Sequence, residues 1–298
     1  MKRAKDGKLA RRNQVFPSEI AKFLDVVIYV LDARAPYATF QVEEQIKGKR
    51  VFVLSKSDLA NEEETKRWKN LFIDAGLTAV IFARDSKSSL QGIRKTLNEE
   101  YKNKLSFCRR VKGIESTSLR VVVLGMPNVG KSTLINLLIG KKVVRTGDRP
   151  GITRGYQWVR ILEGVDLLDT RGIYREYARV RRNKPVLTAL NIIPPEEILL
   201  EDAIQAVLNA FDGDNWKKFS SFFDVGEKVK LMEAAELVSF IGRRTLGNRY
   251  TDRCFTDVAL RILRLAGEGN FGPLTFERVE DKRDDFLKLI TAINRVGQ

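Results

Sequence analysis

Histidine is absent from this sequence of 298 residues. Its absence excludes Ser/His/Asp and Cys/His nucleophilic systems, HExxH zinc sites and any histidine general base. Cysteine is almost as rare, since only Cys108 and Cys254 occur. The two lie far apart and lack the spacing of metal ligands, which favours reduced thiols in the core over a disulfide framework. Any chemistry of this chain must therefore use other groups.

Long hydrophobic runs are missing as well. Stretches such as residues 26–31 are far too short to span a bilayer, and the basic N-terminus has no apolar segment of a secretory signal behind it. We therefore expect no membrane contact and a cytoplasmic location. With 43% apolar and 31% charged residues, the composition is that of a globular protein long enough to bury two cores.

Positive charge is in excess. The formal net charge is +15 and the isoelectric point is about 9.8. Because neutralising phosphates releases condensed counterions, such a balance predicts a polyanionic partner, RNA or DNA. Residues 1–22 hold seven Lys or Arg against two Asp or Glu, and we interpret this segment as a flexible basic arm.

Apolar, β-branched runs alternate with helical segments over residues 23–180. This alternation predicts an α/β domain with a mostly parallel sheet and helices on both faces. In residues 181–298 the strand runs disappear and apolar residues recur at helical spacing, which predicts an all-helical domain. We assign RNA binding to this second domain, with four basic side chains as candidate contacts: Arg243, Arg244, Arg249 and Arg253.

The strongest motif is GMPNVGKST at residues 125–133, directly after the apolar run RVVVL and directly before the helical run LINLLIG. GxxxxGKS between a strand and a helix is a P-loop. Backbone N–H groups of such a loop surround the β-phosphate, Lys131 reaches the β- and γ-phosphate oxygens, and the Ser132 hydroxyl takes a Mg²⁺ position. The predicted nucleotide contacts in this loop are Asn128, Val129, Gly130, Lys131, Ser132 and Thr133.

Two further motifs follow the P-loop. An Asp-x-x-Gly sequence at Asp169 to Gly172 ends an apolar run, so the carboxylate can hold Mg²⁺ through water and the glycine N–H can sense the γ-phosphate. Thr153, in the sequence PGIT, is suited to complete the Mg²⁺ shell. The alternatives are an ordinary turn and a plain loop threonine. We predict metal contacts by Ser132, Thr153 and Asp169, and catalytic roles for Lys131, Thr153 and Gly172.

A guanine-reading motif comes before the P-loop. Asp58, in the sequence Ser55-Lys56-Ser57-Asp58, has the spacing of NKxD, and one carboxylate can accept both the N1 and N2 protons of guanine. We therefore predict GTP and GDP as ligands, with Lys56 and Asp58 at the base. Residues 82–86 are the candidate loop behind the base, without assignment of a single residue. This motif follows the phosphate motifs in other G proteins, so its position indicates circular permutation.

The order of these motifs resembles that of the RbgA/YlqF family of bacterial ribosome-assembly GTPases. The resemblance runs from VVIYVLDARAPYAT through RPGITRG and LLDTRG to GNFGPLTFE, covering about residues 15–281. It implies GTP hydrolysis coupled to maturation of the large ribosomal subunit, with the subunit precursor and its rRNA as partners of a monomer. Asn128 resembles the asparagine that coordinates K⁺ in related GTPases; the alternative is an asparagine that suits a tight turn.

Four positions depart from family or Ras-type patterns. Ser55 replaces an asparagine that supports the P-loop, Arg171 replaces a proline, and Pro17-Ser18-Glu19 stands where the family has Pro-Gly-His with a histidine that assists hydrolysis. Ile173 stands where Ras-type enzymes carry the glutamine that orients water. We therefore expect slow intrinsic hydrolysis. The alternative is a GTP-gated RNA-binding factor with little or no hydrolysis; an ATP-using enzyme is disfavoured because Asp58 has no role at adenine.

Overall fold

A computed structural model of the chain describes residues 18–140, 144–146, 157–169 and 182–296. Thr153, Gly172 and most of the predicted basic arm lie outside these residues. None of the helices in the described ranges combines the length and the apolar character needed to cross a membrane.

One seven-stranded sheet forms the centre of the first part of the chain. Its strands are β1 (Val26–Asp32), β2 (Lys49–Ser55), β3 (Thr78–Ile81), β4 (Leu119–Leu124), β5 (Val144–Thr146), β6 (Gln157–Leu162) and β7 (Val165–Asp169). They lie in the order β3-β2-β1-β4-β7-β6-β5, and the five strands from β3 to β7 are parallel. The predicted α/β class with a mostly parallel sheet is confirmed.

The topology also contains the permutation. The strand that leads into the P-loop, β4, is fourth in sequence and central in the sheet, and β1 pairs with it on one side and with β2 on the other. Because carboxyl ends of parallel strands meet at one edge, the guanine-reading motif after β2 and the P-loop after β4 reach the same edge. Their order along the chain is therefore free to change without moving the site.

Ten α-helices accompany the sheet in the described ranges. They are α1 (Ser18–Ala21), α2 (Glu62–Asp74), α3 (Lys87–Lys112), α4 (Lys131–Ile139), α5 (Lys184–Ala189), α6 (Leu200–Asn209), α7 (Gly213–Phe223), α8 (Ala234–Leu246), α9 (Phe255–Gly267) and α10 (Val279–Val296). Helix starts follow local chemistry: the Asn61 side chain accepts the backbone N–H of Glu64 to cap α2, and Asp212 forms a capping box with Asn215 at α7.

Alternating residues of β1 place one apolar core on each face of the sheet. Val26, Ile28 and Val30 pack with α3 and α4, whereas Tyr29 and Leu31 pack with α2 and α10. Each such buried side chain contributes about 1.5 to 3 kcal/mol relative to an exposed one. The carboxyl edge of the sheet is thereby held between two rigid layers, which fixes the loops that leave it.

The helical region has a third core, built from α6, α7, α8 and α9. Its last helix, α10, does not join that core. Phe286 of α10 instead packs against Phe72 and Trp68 of α2, with ring centroids 4.7 Å and 5.6 Å apart. The chain therefore returns to the sheet layer after the helical core, although the sequence pattern grouped α10 with the helical domain.

The antiparallel edge of the sheet was not predicted. β6 pairs antiparallel with both β5 and β7, and Gly164, with φ of 69°, turns the chain between β6 and β7. The dipeptide Glu163-Gly164 between two apolar runs is a hairpin signal. It accounts for the hairpin that the βα alternation elsewhere in this region concealed.

Candidate functional site

The P-loop joins β4 to α4 at the carboxyl edge of the sheet. Gly125 has φ of 147°, and a Cβ atom there would lie 2.4 Å from the carbonyl oxygen of Val30, so only glycine fits. α4 begins at Lys131, directly after Gly130 with φ of 103°. The free N–H groups of this nine-residue helix face the loop. The arrangement provides an anion-binding cradle.

Lys131 is the principal cation of this cradle. Its Nζ donates a hydrogen bond to the carbonyl oxygen of Met126, and it has no acidic partner among the described residues. Burial lowers the pKa of Lys131 to about 8. A partly buried ammonium with no counter-ion is suited to an anionic ligand, which would restore its charged form.

Lys131 faces a hollow of about 640 Å³. The floor of this hollow comes from the P-loop and Lys56, and its other side comes from the helical region, including Thr188, Asn191 and Arg264. The predicted residues that the hollow brings together are Lys56, Asn128, Gly130, Lys131, Ser132 and Thr133. Val129 is fully buried beneath them, and its carbonyl oxygen rather than its side chain contacts a neighbour.

Ser55 supports the P-loop from below. Its hydroxyl oxygen lies within hydrogen-bond distance of the carbonyl oxygens of Leu31, at 2.8 Å, and of Val129. The contact that an asparagine supplies in the family is therefore present. A hydroxyl has one proton, however, and cannot donate to both carbonyls at once. The substitution keeps the contact and makes it the weaker for being shared.

A buried charge network that the sequence did not reveal lies at the end of β1. The Asp32 carboxylate accepts two hydrogen bonds of 2.9 Å from the Arg34 guanidinium and lies 3.1 Å from the Lys56 ammonium. Burial opposes ionisation of Asp32, but Arg34 and then Lys56 outweigh it and lower the pKa to about 2. Arg34 also donates to the carbonyl oxygen of Gly267, at 3.0 Å. One carboxylate thus orients Lys56 and ties the end of α9 to the sheet.

Asp58 lies on the other side of the same turn. It is exposed within a short 3-10 helix, Ser57–Leu59, and lines a second hollow of about 570 Å³ with Ala83. The backbone N–H of Ser57 donates to the carbonyl oxygen of Phe82, which joins this turn to the end of β3. Ala83 is therefore the residue that faces Asp58 within the segment 82–86.

Asn128 connects the P-loop to the helical region. Its φ of 57° is left-handed, as a tight turn requires, and its side-chain amide donates to the carbonyl oxygen of Asn191 at 2.6 Å. Asp169 ends β7, while Thr153 and Gly172 lie outside the described residues. The metal shell predicted for Ser132, Thr153 and Asp169 stays a prediction, and so does the potassium role of Asn128.

Comparison with known proteins places this geometry. Residues 120–230 match a family model described as 50S ribosome-binding GTPase. The match begins at the P-loop strand and leaves out the guanine-reading motif, as the permuted order requires. Ribosome biogenesis GTPase A of Bacillus licheniformis is 32% identical over 271 residues, covering 89% of this chain and 94% of the relative.

Two further similarities extend over most of the chain. Ribosome biogenesis GTPase A of Thermotoga maritima is 30% identical over 269 residues, covering 88% of this chain and 89% of the relative. Among solved structures, GDP-bound YlqF is 25% identical with a TM-score of 0.62, covering 88% of this chain and 98% of that chain.

Proposed function

The chain belongs to the ribosome biogenesis GTPase A family, and on that premise we propose that it hydrolyses GTP to GDP and phosphate as a switch in assembly of the large ribosomal subunit. The observation that carries this proposal is the joint placement of the Lys131 cradle, the Lys56 turn and Asp58 at one sheet edge. It rests on positions in this chain, beyond what the relatives are called.

In this proposal each predicted residue has a task. The N–H groups of Gly130 to Thr133 and the ammonium of Lys131 bind the β- and γ-phosphates, and Asp58 accepts the two guanine protons. Ser132 would hold Mg²⁺ with Thr153 and Asp169, and the ion would neutralise charge on the phosphates. Gly172 would report the γ-phosphate. The unpaired Lys131 and the helix N-terminus fit a phosphate chain; K⁺ at Asn128 remains a separate proposal.

Binding of rRNA is the finer part of the proposal. Arg243, Arg244, Arg249 and Arg253 are all exposed and lie between α8 and the start of α9. Arg244 pairs with Asp224 at the surface, and such pairs contribute little to stability. The four side chains therefore stay available to phosphates, although the net charge of the helical region is small.

Nucleotide binding is expected to take up a proton in mild alkali. Empty Lys131 has a depressed pKa of about 8, and phosphates restore its usual range near 10.5. The sign is uptake, because the bound state holds the proton that the empty state has lost. Titration calorimetry with Mg-GDP in two buffers should give roughly a tenth of a proton at pH 7.0 and about three-quarters at pH 8.5. An uptake that does not rise with pH would show that Lys131 does not meet the phosphates.

Ribosomal-subunit affinity is expected to depend on the nucleotide. Since Gly172 is followed closely by the helical region, ordering around the γ-phosphate can reorient it. Pelleting with large subunits should show a roughly 5- to 150-fold difference between GDP and a nonhydrolysable GTP analogue. Gly172→Ala should remove the difference, whereas Gly213→Ala, at an open helix start, should keep it. Equal affinity of the wild type in all nucleotide states contradicts the switch.

A further inference from the structure

The Thr188 hydroxyl is buried without a partner. The residue is 5% exposed, and its Oγ1 has no hydrogen bond in the described part of the chain. An unpaired buried hydroxyl costs about 1 to 3 kcal/mol, so such groups in native proteins require an explanation. Thr188 lies in α5 and lines the hollow that contains Lys131. A ligand in that hollow is the partner that the hydroxyl lacks.

The position of Thr188 selects one end of the ligand. Three residues further on, the Asn191 carbonyl accepts the amide of Asn128, which fixes this segment over the P-loop. The base side of the site, around Asp58, belongs to the other hollow. The hydroxyl therefore faces the phosphate end of a nucleotide and not the guanine.

Arg264 is the second group on the helical side of the hollow. The other cations there are engaged: Arg34 and Lys56 share Asp32, and Lys131 donates to a carbonyl. Arg264 has no acidic partner among the described residues, and the nearby Glu268 accepts from Asn270. Its guanidinium is thus available to a phosphate.

We propose that Thr188 and Arg264 form a γ-phosphate subsite supplied by the helical region. It deepens the proposed function, on which it rests. The Thr188 hydroxyl donates to a γ-phosphate oxygen of bound GTP. Arg264 stabilises charge as water bonds to the γ-phosphorus, the bond from that phosphorus to the β–γ bridging oxygen breaks, and its electron pair leaves on GDP. The two water protons end on phosphate and solvent.

This subsite gives hydrolysis a direct route to the helical region. Both contacts reach the γ-phosphate, so both are lost when phosphate leaves. Arg264 also supplies positive charge in a chain that has neither the family histidine nor a Ras-type glutamine. The roof of the site is thus both a sensor and a source of catalysis.

The hydroxyl is tested by the isosteric change Thr188→Val. Affinity for a nonhydrolysable GTP analogue should fall about 5- to 10-fold, while GDP affinity stays unchanged. The thermal midpoint of the nucleotide-free protein should stay level or rise, because an unsatisfied group is removed. The matched control is Thr96→Val, since the Thr96 hydroxyl is satisfied by the Gly92 carbonyl on α3. It should lower the midpoint and leave both affinities unchanged.

The guanidinium is tested by single-turnover GTP hydrolysis with large ribosomal subunits present. Arg264→Gln should slow the step about 100-fold with less than about a 3-fold change in GTP affinity, and Arg264→Lys should recover part of the rate. Arg261→Gln, an exposed position one turn earlier that does not line the hollow, should match the wild type.

The outcomes separate the subsite from the proposed function. If the wild type hydrolyses GTP and both variants match it in affinity and rate, the subsite is wrong and the function stands. Equal weakening of GDP and GTP by Thr188→Val overturns the γ-phosphate assignment. If the wild type hydrolyses no GTP, the proposed function fails, and the analogue-to-GDP affinity ratio still decides whether Thr188 contacts the γ-phosphate.

Discussion

Asp58→Ala is expected to abolish discrimination between guanine and adenine nucleotides, with GTP affinity falling at least about 100-fold. The carboxylate accepts two guanine protons, and hydrogen bonds to charged groups contribute about 1.5 to 3 kcal/mol each. Because Asp58 is exposed in its 3-10 turn, its loss should not unfold the protein. Competition of GTP and ATP for the wild type and the variant measures the effect.

Two controls make the Asp58 result specific. Asp85→Ala removes another exposed acid at the same sheet edge and should leave the preference for GTP intact. Asp58→Asn replaces one acceptor with a donor, so it should favour xanthine, which carries an oxygen at C2 where guanine carries an amino group. An unmodified protein that binds ATP and GTP equally contradicts the base-site assignment.

Asp32→Asn is expected to lower the free energy of unfolding by about 3 to 5 kcal/mol, because it leaves the buried Arg34 guanidinium without its counter-ion. GTP affinity should fall as well, since Lys56 loses its anchor. Urea unfolding and GTP titration measure the two effects. A double variant, Asp32→Asn with Arg34→Met, should recover much of the stability and little of the affinity. If both recover together, Asp32 acts only on stability.

The same pair makes stability depend on pH in acid. The pKa of Asp32 is lowered to about 2 in the folded protein, against about 3.8 in the unfolded chain. A depressed carboxyl pKa stabilises the fold above about pH 4, and this contribution is lost as pH falls toward 2. The Asp32→Asn variant should lack that part of the acid transition.

The sequence predicted the parts of this protein that depend on local pattern. The P-loop needs contiguous glycines and Lys131, and β-branched runs announce parallel strands, so both were visible in one dimension. Asp58 was found by spacing alone. The network of Asp32, Arg34 and Lys56 was not, because it joins residues that only the sheet brings together.

Long-range packing hid the other missed features. Thr188 and Arg264 lie more than fifty residues beyond the P-loop in sequence, and an isolated threonine or arginine on a helix carries no signal of a ligand. The return of Phe286 to α2 was equally invisible, since an amphipathic helix does not state which core it joins. The antiparallel edge did carry a signal, the dipeptide at Gly164, within a region dominated by βα alternation.

Single-turnover hydrolysis of GTP labelled at the γ-phosphate, with and without large ribosomal subunits, tests the central claim most directly. The account predicts slow release of phosphate by the protein alone, because no Ras-type glutamine stands at residue 173. Saturating subunits should raise the rate at least about tenfold, equivalent to about 1.4 kcal/mol of barrier. ATP should not substitute for GTP. Phosphate release no faster than in buffer, with subunits bound, would contradict the claim and leave a GTP-gated RNA-binding factor.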